Sequence, residues 1–417
     1  MTYAHRALAA ELLKASRSFA AVILTGPRRS GKTTLLRRAF PHASYHLLED
    51  PDTVARLRAD PRTFLDEIRL PAILDEIQNV PEVLNYVRAR IDRTPRQTGR
   101  WLLTGSQEAP LMKGVTESMA GRAAILQLLP FSTAEHPKVS MVGGGFPEVI
   151  ARPSAAPLWF RSYIQTYLER DVRAVSDIRD LATFRRFLSL VASRCGQLLN
   201  RTDFAAPLGV SVPTISQWLS ILETTGQIVS VPPFYENFGK RLIKSPKIYF
   251  VDSGLACHLL NIGSDRELRR SPFLGPIFEG FLASEIVKRQ IGAGRRKEIY
   301  YFRDQQGLEV DFIVPTGVGA LTLIEAKASR TVTPAMAESL VRLGKVVGRY
   351  AVTSLVVHAE TRDEAAAVGA IRPGVRAMPV DRFLAAFVPS RPRRIGRGRA
   401  GSPSPDSRRK RAQPRLQ

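Results

Sequence analysis

The sequence predicts an α/β fold whose first domain is built on a parallel sheet, followed by a mainly helical domain and a second α/β domain. Apolar strands alternate with helical patterns over residues 1–140. A glycine-rich hinge is expected at Gly143–Gly145, a helical region follows it, and mixed α/β patterning returns after that. These observations give domains at residues 1–140, 141–260 and 261–388, and a tail at 389–417 that is too rich in Pro, Gly and Ser to fold.

Composition indicates a globular protein of several domains. Of the 417 residues, 44% are hydrophobic and 24% are charged, which is enough apolar material for several cores. No uncharged apolar run reaches the roughly 18 residues that a membrane-spanning helix needs. Cys195 and Cys257 are too few for a disulfide framework or a zinc site. We therefore expect a cytoplasmic protein with two buried, reduced thiols and no membrane segment.

The net charge of +23 is distributed unevenly. Residues 391–417 hold ten Arg or Lys residues and one acid, Asp406, so this tail supplies +9 of the total. The other +14 belongs to the folded part, and a basic folded body is expected of a nucleic-acid-binding protein. A high genomic GC content also enriches arginine, so charge by itself does not identify the partner.

The first predicted strand leads directly into a phosphate-binding loop. Five strands are expected in this domain: Ala21–Thr25, Tyr45–Leu48, Ala72–Leu74, Trp101–Thr104 and Ala124–Leu128. The loop fits G-x-x-x-x-G-K-[ST] at every position and opens a helix. Its residues, with the one that follows, are Gly26, Pro27, Arg28, Arg29, Ser30, Gly31, Lys32, Thr33 and Thr34. We expect the loop N–H groups and Lys32 to bind the phosphates of ATP, and the Thr33 hydroxyl to bind Mg²⁺.

Two further strands end in polar residues at the same predicted edge of the sheet. Asp75 and Glu76 follow an apolar strand, where Asp75 is placed to hold the Mg²⁺ shell. Glu76 is placed to orient or activate the attacking water. Thr104 or Ser106 is a candidate polar sensor beside the γ-phosphate, although a strand that ends in an ordinary turn also explains these hydroxyls.

The order of these motifs resembles prokaryotic ATPases of the AAA+ superfamily that carry an uncharacterised C-terminal domain. Beyond the phosphate-binding loop, the shared motifs are Leu-Asp75-Glu76-Ile-Gln, Leu-Leu-Thr104-Gly-Ser, Met-Ala-Gly121-Arg122, Gly144-Gly-Phe-Pro-Glu148, Tyr167-Leu-Glu-Arg-Asp171 and Lys247-Ile-Tyr-Phe-Val-Asp-Ser-Gly-Leu255. The resemblance covers residues 15–390 and implies an ATPase. It also implies that Arg122 contacts phosphate, in its own subunit or from a neighbour in a homo-oligomer; an ordinary surface ion pair is the alternative.

Residues 183–235 predict three helices and a wing, the arrangement of a winged helix. Ser211 is the expected N-cap of the third helix. The expected core-facing residues of that helix are Ile215, Trp218, Leu219 and Leu222. Candidate DNA contacts are Thr214, Ser216 and Gln217 on the helix, and Lys240, Arg241, Lys244 and Lys247 in the wing. Winged helices also bind proteins or act as rigid spacers, so either DNA or a protein partner fits.

The last predicted domain contains an acidic pattern. Asp311 is separated by thirteen residues from Glu325-x-Lys327, the D…ExK pattern of the restriction-endonuclease-like fold. Glu325 and Lys327 share one face of a strand, so two carboxylates could bind Mg²⁺ while Lys327 positions the attacking water. Glu279, on a preceding helix, is a further expected ligand of this second site. The alternative is that these acids and the lysine lie at solvated strand ends and form no site.

Two functions from different classes fit these predictions. In one, ATP hydrolysis drives an enzyme that engages DNA through the winged helix and cuts it in the last domain. In the other, the protein is a nucleotide-dependent switch that binds DNA or a protein and cuts nothing. A small-molecule kinase is disfavoured, because such an enzyme rarely needs winged-helix and nuclease-like regions.

Overall fold

The computed structural model describes residues 4–105, 119–168, 181–234, 245–359 and 369–387. Several predicted features lie outside these ranges: Ser106, the end of the Tyr167–Asp171 motif, the wing residues Lys240, Arg241 and Lys244, and the tail 389–417. Across the described ranges, no helix combines the length and apolar composition that crossing a bilayer requires. Cys195 and Cys257 are buried free thiols, as expected from the sequence.

The first domain is built on a five-stranded parallel sheet with the order β2-β3-β4-β1-β5. Its strands are β1 (Ala21–Thr25), β2 (Ser44–Leu47), β3 (Ala72–Asp75), β4 (Trp101–Thr104) and β5 (Ala123–Gln127). The helices are α1 (Ala9–Ser18), α2 (Lys32–Ala39), α3 (Pro51–Ala59), α4 (Pro61–Glu67) and α5 (Val83–Arg93), with a 3₁₀ turn at Ile77–Asn79. The three central strands are wholly buried, which their continuous apolar runs predict. The predicted parallel sheet is therefore confirmed.

The second region is mainly helical, with one pair of strands. Its helices are α6 (Pro147–Ala151), α7 (Ala156–Tyr163), α8 (Leu181–Ser193), α9 (Arg201–Leu208), α10 (Val212–Thr224), α11 (Ser253–Leu259) and α12 (Asp265–Arg270), with a 3₁₀ turn at Pro153–Ala155 and a π-helical turn at Ile164–Leu168. The strands β6 (Ile228–Val231) and β7 (Lys247–Phe250) are antiparallel, and Val231 pairs with Lys247. Ser211 caps α10 by accepting from the Thr214 N–H, as predicted. The predicted core residues Ile215, Trp218, Leu219 and Leu222 are all buried.

Gly144 lies at a tight contact rather than in a hinge, which corrects the expectation from the glycine-rich stretch. Its φ of +68° is left-handed, and a Cβ at this position would lie 2.0 Å from Asp252 Oδ1. The neighbouring Gly145 N–H donates to Asp252 Oδ2 at 2.7 Å, and Asp252 Oδ1 accepts from the Leu255 N–H. Asp252 is 2% exposed, so the glycines allow this stretch to close over a buried carboxylate.

The third region surrounds a six-stranded mixed sheet with the order β12-β13-β11-β10-β9-β8. Its strands are β8 (Tyr300–Arg303), β9 (Glu309–Gly317), β10 (Ala320–Lys327), β11 (Ala351–His358), β12 (Gly369–Arg372) and β13 (Val375–Pro379). The helices are α13 (Leu274–Gly292), α14 (Glu338–Val346) and α15 (Val380–Ala386), with a 3₁₀ turn at Pro334–Ala337. Strands β8, β9 and β10 form an antiparallel meander, whereas β11 runs parallel to β10. Helix α13 is buried along most of its length and packs on β7 and β10.

Candidate functional site

The phosphate-binding loop joins the buried strand β1 to helix α2, where the sequence predicts it. Gly26 has a φ of +139°, and a Cβ on this residue would lie 2.1 Å from the carbonyl oxygen of Leu128. Only glycine fits this turn, because the backbone of Leu128, the residue after β5, passes directly against it. The other predicted loop residues follow in order: Pro27, Arg28, Arg29, Ser30 and Gly31.

Lys32 turns back onto this loop from the first turn of α2. Its side chain is buried, and Nζ donates to the carbonyl oxygens of Gly26 at 3.1 Å and Pro27 at 3.0 Å. An ammonium group held against the loop adds positive charge to the N-terminus of α2, where backbone N–H groups are free of helical partners. Together they favour a polyphosphate at this point of the sheet.

Asp75 connects three elements at the carboxyl edge of the sheet. Its Oδ2 accepts hydrogen bonds from the hydroxyls of Thr33 and Tyr45, both at 2.8 Å. The residue is 2% exposed, and its Oδ1 has no hydrogen-bond partner within the part of the chain that the structure describes. Burial and the hydrogen bond to Asp75 raise the pKa of Tyr45. A buried, half-satisfied carboxylate beside a threonine hydroxyl is a donor set that fits Mg²⁺.

Glu76 and Thr104 lie beside Asp75 at the same edge. Glu76 has the left-handed backbone values φ 59° and ψ 47°, which cost a non-glycine residue about 1–3 kcal/mol. Its Oε2 accepts a hydrogen bond from the Gln78 side-chain amide. Thr104 ends β4, between β3 and β1, and its buried hydroxyl has no hydrogen-bond partner among the described residues. The predicted water-positioning acid and polar sensor therefore flank the candidate phosphate site.

Arg122 lies at the opposite edge of the sheet from the phosphate-binding loop. It directly precedes β5, and its carbonyl accepts from the Ala21 N–H at the start of β1. The guanidinium makes a two-point contact with Asp92, with Nε–Oδ1 at 2.5 Å and Nη2–Oδ2 at 3.1 Å. This position corrects the expectation of a phosphate contact within the same subunit, because β1 separates the two edges. A contact from a neighbouring subunit stays a prediction.

A cavity of about 410 Å³ adjoins the last loop residues on the side of α2. Its walls include Arg6, Gly31, Thr34, Leu35, Phe131 and His136. The Arg6 guanidinium lies 4.3 Å from the centre of the Phe131 ring and donates to the carbonyls of Ser30 and Leu129. Arg6 also pairs with Glu135 at 3.0 Å. Sequence reasoning missed Arg6, since a single arginine before an amphipathic helix carries no motif.

The second region contacts the phosphate-binding loop at two points. A Cβ on Gly226 would lie 3.1 Å from the Pro27 ring. Arg29 Nη1 lies 3.8 Å from Glu148 Oε1, where burial raises the pKa of Glu148 and the Arg29 charge partly opposes that rise. Gly226 lies two residues before the start of β6, so the loop is close to the end of the β6–β7 pair where β6 begins.

The predicted acids of the third region converge, but around a lysine that sequence reasoning assigned elsewhere. Lys247, expected in a DNA-binding wing, is instead 3% exposed at the start of β7. Its Nζ lies 3.0 Å from Glu279 Oε1, 2.8 Å from Glu309 Oε1 and 3.7 Å from Asp311 Oδ1. The Tyr249 hydroxyl also donates to Glu279 Oε1. Burial lowers the pKa of Lys247, but the surrounding carboxylates more than offset this and raise it.

Glu325 is the last member of this acid cluster, which comprises Glu279, Glu309, Asp311 and Glu325, and Lys327 pairs with it. Lys327 Nζ lies 2.7 Å from Glu325 Oε1, while Glu325 Oε2 is buried without a hydrogen-bond partner in the described ranges. Asp311 Oδ2 accepts from the Ala326 N–H at 2.9 Å. Burial, then the charge of Asp311, raises the pKa of both Glu279 and Glu325 to about 7. Over the residues described, no group of three or more His, Cys, Asp or Glu side chains has the arrangement of a metal centre.

The candidate DNA-contacting residues of α10 make local hydrogen bonds. The Ser216 hydroxyl donates to the carbonyl of Val212 at 3.0 Å, and the Thr214 hydroxyl lies 2.8 Å from that of Ser211. Gln217 is exposed. The helix contains one acid, Glu223, and no lysine or arginine, so it supplies no positive charge for phosphate contacts.

Three family descriptions match successive parts of the chain. Residues 18–136 match an AAA domain. Residues 135–266 and 274–381 match two domains of unknown function, DUF8612 and DUF4143. An uncharacterized protein of Mycobacterium tuberculosis and one of Mycobacterium bovis are each 32% identical to the chain over 349 residues, spanning 82% of this chain and 77% of theirs.

Solved structures resemble the chain only loosely. The Walker-type ATPase of Pyrococcus abyssi has a TM-score of 0.39 at 15% identity, over 60% of this chain and 94% of that one. AMPPCP-bound DnaA of Aquifex aeolicus has a TM-score of 0.27 at 13% identity, over 52% and 85%. With both scores below 0.5, neither likeness supports a functional assignment.

Proposed function

The chain belongs to the same family as the two mycobacterial proteins, and its first domain is an AAA-type P-loop ATPase; from this premise we propose that ATP and Mg²⁺ meet at Lys32, Thr33 and Asp75. The observation that carries the proposal is the 2.8 Å hydrogen bond from the Thr33 hydroxyl to the buried Asp75 carboxylate. It brings the end of the phosphate-binding loop and the end of β3 to one point. A Mg²⁺ ion held there by Thr33 and Asp75 would neutralise charge that develops on the phosphates during hydrolysis.

Each remaining side chain then has one role. Lys32 binds the β- and γ-phosphate oxygens together with the N–H groups of the loop from Arg28 to Gly31, since Pro27 has no N–H group. Glu76 orients the water that attacks the γ-phosphorus, and Thr104 binds a γ-phosphate oxygen. The cavity between Thr34, Arg6 and Phe131 takes the nucleoside, because it adjoins the loop and offers an aromatic wall.

The test of ATP hydrolysis compares wild type with Lys32→Ala. We expect Lys32→Ala to lower kcat by roughly 10²–10³-fold, since it removes a preorganised positive charge that stabilises the transferred phosphoryl group. Lys14→Ala is the matched control, because Lys14 is an exposed lysine that pairs, among the described residues, with Glu11 on α1. Equal turnover in wild type and Lys32→Ala would remove this site from the proposal.

For the third region we propose a restriction-endonuclease-like fold. The order α13, β8-β9-β10 meander, α14 and parallel β11 supports it, as do Glu279, Asp311 and Glu325 on one helix and two adjacent strands. The contact between Lys247 and three of the carboxylates favours a nucleotide-dependent switch that binds DNA or a protein over an active nuclease. The discriminating assay incubates the full chain with ATP, Mg²⁺ and supercoiled plasmid. Nicking that Asp311→Ala and Glu325→Ala both abolish would establish the nuclease instead.

Binding to DNA is the remaining part of the proposal. Its support is the charge of +14 outside the tail together with the helical arrangement of α8, α9 and α10. Fluorescence anisotropy with a labelled duplex at two salt concentrations measures it, and a chain lacking residues 389–417 separates the tail from the body. Salt-dependent binding that survives this truncation supports a DNA-contacting body, whereas its complete loss assigns the binding to the tail.

A further inference from the structure

Lys247 is a cation supplied by the chain itself to the acid cluster of the third region. The side chain comes from β7, which pairs with β6 of the second region, and it reaches carboxylates on α13 and β9. It is 3% exposed, and its Nζ lies 5.7 Å from the centre of the Tyr301 ring. Lys247 is thus enclosed by protein groups on several sides.

Negative charge exceeds positive charge in the cluster even with this lysine in place, and its loss would leave two cations for four carboxylates. Four carboxylates meet here, and the cationic groups near them are Lys247, Lys327 and Arg303, which lies 3.3 Å from Glu309 Oε2. A buried ionised carboxylate without a counter-charge is strongly destabilising, so a cation at the position of the Lys247 ammonium stabilises the ionised form of the cluster. Either the ammonium or a metal ion can supply that positive charge.

An ammonium group and a divalent ion compete for the same oxygens. Glu279 Oε1 and Asp311 Oδ1 both face Lys247 Nζ, whereas Mg²⁺ or Mn²⁺ would have to approach such oxygens to about 2.0–2.2 Å. The two cations would then lie within a few ångströms of each other in a buried site, where like charges repel strongly. Glu325 Oε2 adds a second observation, because it is a buried oxygen of this cluster without a hydrogen-bond partner in the described ranges.

We propose that Lys247 is a tethered replacement for a metal ion, which closes the acid cluster to divalent cations while β7 is docked against α13. Loss of the Lys247 charge opens a divalent-cation site made of Glu279, Asp311 and Glu325. Lys247 therefore acts as a block on metal binding at these carboxylates. This inference does not depend on ATP hydrolysis, so it survives if the proposed ATPase site fails.

Mn²⁺ binding to the full chain, without nucleotide, tests the inference. Free Mn²⁺ is measured by electron paramagnetic resonance in wild type, Asp311→Asn, Lys247→Met and the double variant Lys247→Met/Asp311→Asn. We expect the Asp311→Asn variant to bind Mn²⁺ no differently from wild type. Lys247→Met should gain one Mn²⁺ per chain, bound roughly a hundredfold or more tighter than by wild type, and the double variant should lose it. Lys14→Met is the control, and it should bind as wild type does.

Two results would overturn the inference. One is a wild-type Mn²⁺ site that disappears in Asp311→Asn, since the cluster would then bind metal beside Lys247. The other is a folded Lys247→Met variant that gains no Mn²⁺. If Lys247→Met does not fold, Lys247→Met/Glu309→Gln replaces it, because the second change removes one of the carboxylates left without a partner. The comparison of wild type with Asp311→Asn decides the first point whichever variant folds.

Discussion

The Thr33 hydroxyl and the Asp75 carboxylate are joined by a 2.8 Å hydrogen bond, although 42 residues separate them in the chain. Thr33 belongs to the first turn of α2 and Asp75 to the last position of β3, on either side of a polar site at the carboxyl edge of the sheet. The bond prealigns two oxygen ligands of the proposed Mg²⁺ before nucleotide arrives. Preorganisation of this kind lowers the cost of assembling the site during turnover.

Removing either partner of this bond should impair Mg²⁺-dependent ATP turnover. We expect Thr33→Ala and Asp75→Asn each to lower kcat by roughly 10²-fold or more, because each removes an oxygen ligand or its negative charge. Steady-state phosphate release at increasing Mg²⁺ measures the effect. Thr94→Ala is the control, since Thr94 is an exposed hydroxyl bonded only to Arg90 in the described structure, and its turnover should equal that of wild type. Full activity in Thr33→Ala would contradict the assignment.

Arg6 should be a major contributor to stability. Its guanidinium donates to two buried carbonyls and pairs with Glu135, with both side chains at most 8% exposed. We expect Arg6→Ala to lower the free energy of unfolding by about 3–5 kcal/mol, because Glu135 keeps a buried charge without its partner. Arg56→Ala breaks an exposed pair with Glu67 and should cost about 1 kcal/mol or less. Urea denaturation compares them; equal losses would show that Arg6 does no more than a surface arginine.

Arg122→Ala should leave ATP turnover by isolated chains unchanged. The guanidinium binds Asp92 at the edge opposite to the phosphate-binding loop, and because this pair is accessible to solvent its loss should change stability little. Turnover per chain, measured over a range of protein concentrations, checks the prediction. A defect confined to concentrations at which chains associate would identify a contact with the neighbouring subunit's nucleotide. A defect that is equal at every concentration would contradict the position described here.

Gly144 and Gly209 offer a matched comparison of packing and backbone strain. Their φ angles are +68° and +65°, but a Cβ on Gly144 would collide with Asp252, whereas one on Gly209 has nothing within 4 Å among the described atoms. We expect Gly209→Ala to cost about 1–2 kcal/mol of stability and Gly144→Ala about 3 kcal/mol or more. Asp252 cannot move aside without breaking hydrogen bonds, since it caps α11 and accepts from the Gly145 N–H. Chemical denaturation of both variants measures the difference, and equal losses would contradict the collision.

The first domain could be predicted closely because its signals are local. Residues Gly26 to Thr33 follow one another, and Asp75 ends an apolar strand, so spacing alone places them at one edge of a parallel sheet. The structure agrees on the strands and on the meeting of Thr33 with Asp75. The predicted Arg122 contact rested instead on a resemblance, and only the strand register shows that it lies at the far edge.

The acid cluster shows where prediction from sequence stops. The D…ExK pattern predicts that Asp311 belongs with Glu325 and Lys327, and strand periodicity puts Glu325 and Lys327 on one face. Lys247 has no such periodic relation to its partners: it belongs to another region, and its basic neighbours suggested a surface wing. Its contacts with Glu279 and Glu309 depend on how α13 packs against β7, which no local pattern encodes.

The β6–β7 pair has a mechanical consequence. Gly226, at one end, lies so near the Pro27 ring of the phosphate-binding loop that a Cβ on it would come within 3.1 Å of that ring. Lys247, at the other end, is bound by carboxylates of the third region. Four residues of strand span only about 13 Å, and a hydrogen-bonded pair of strands resists bending over that length. The two strands thus form a short, stiff connection between the phosphate-binding loop and the acid cluster. If the phosphate-binding loop moved and the β6–β7 pair tilted with it, Lys247 would also move away from Glu279 and Glu309.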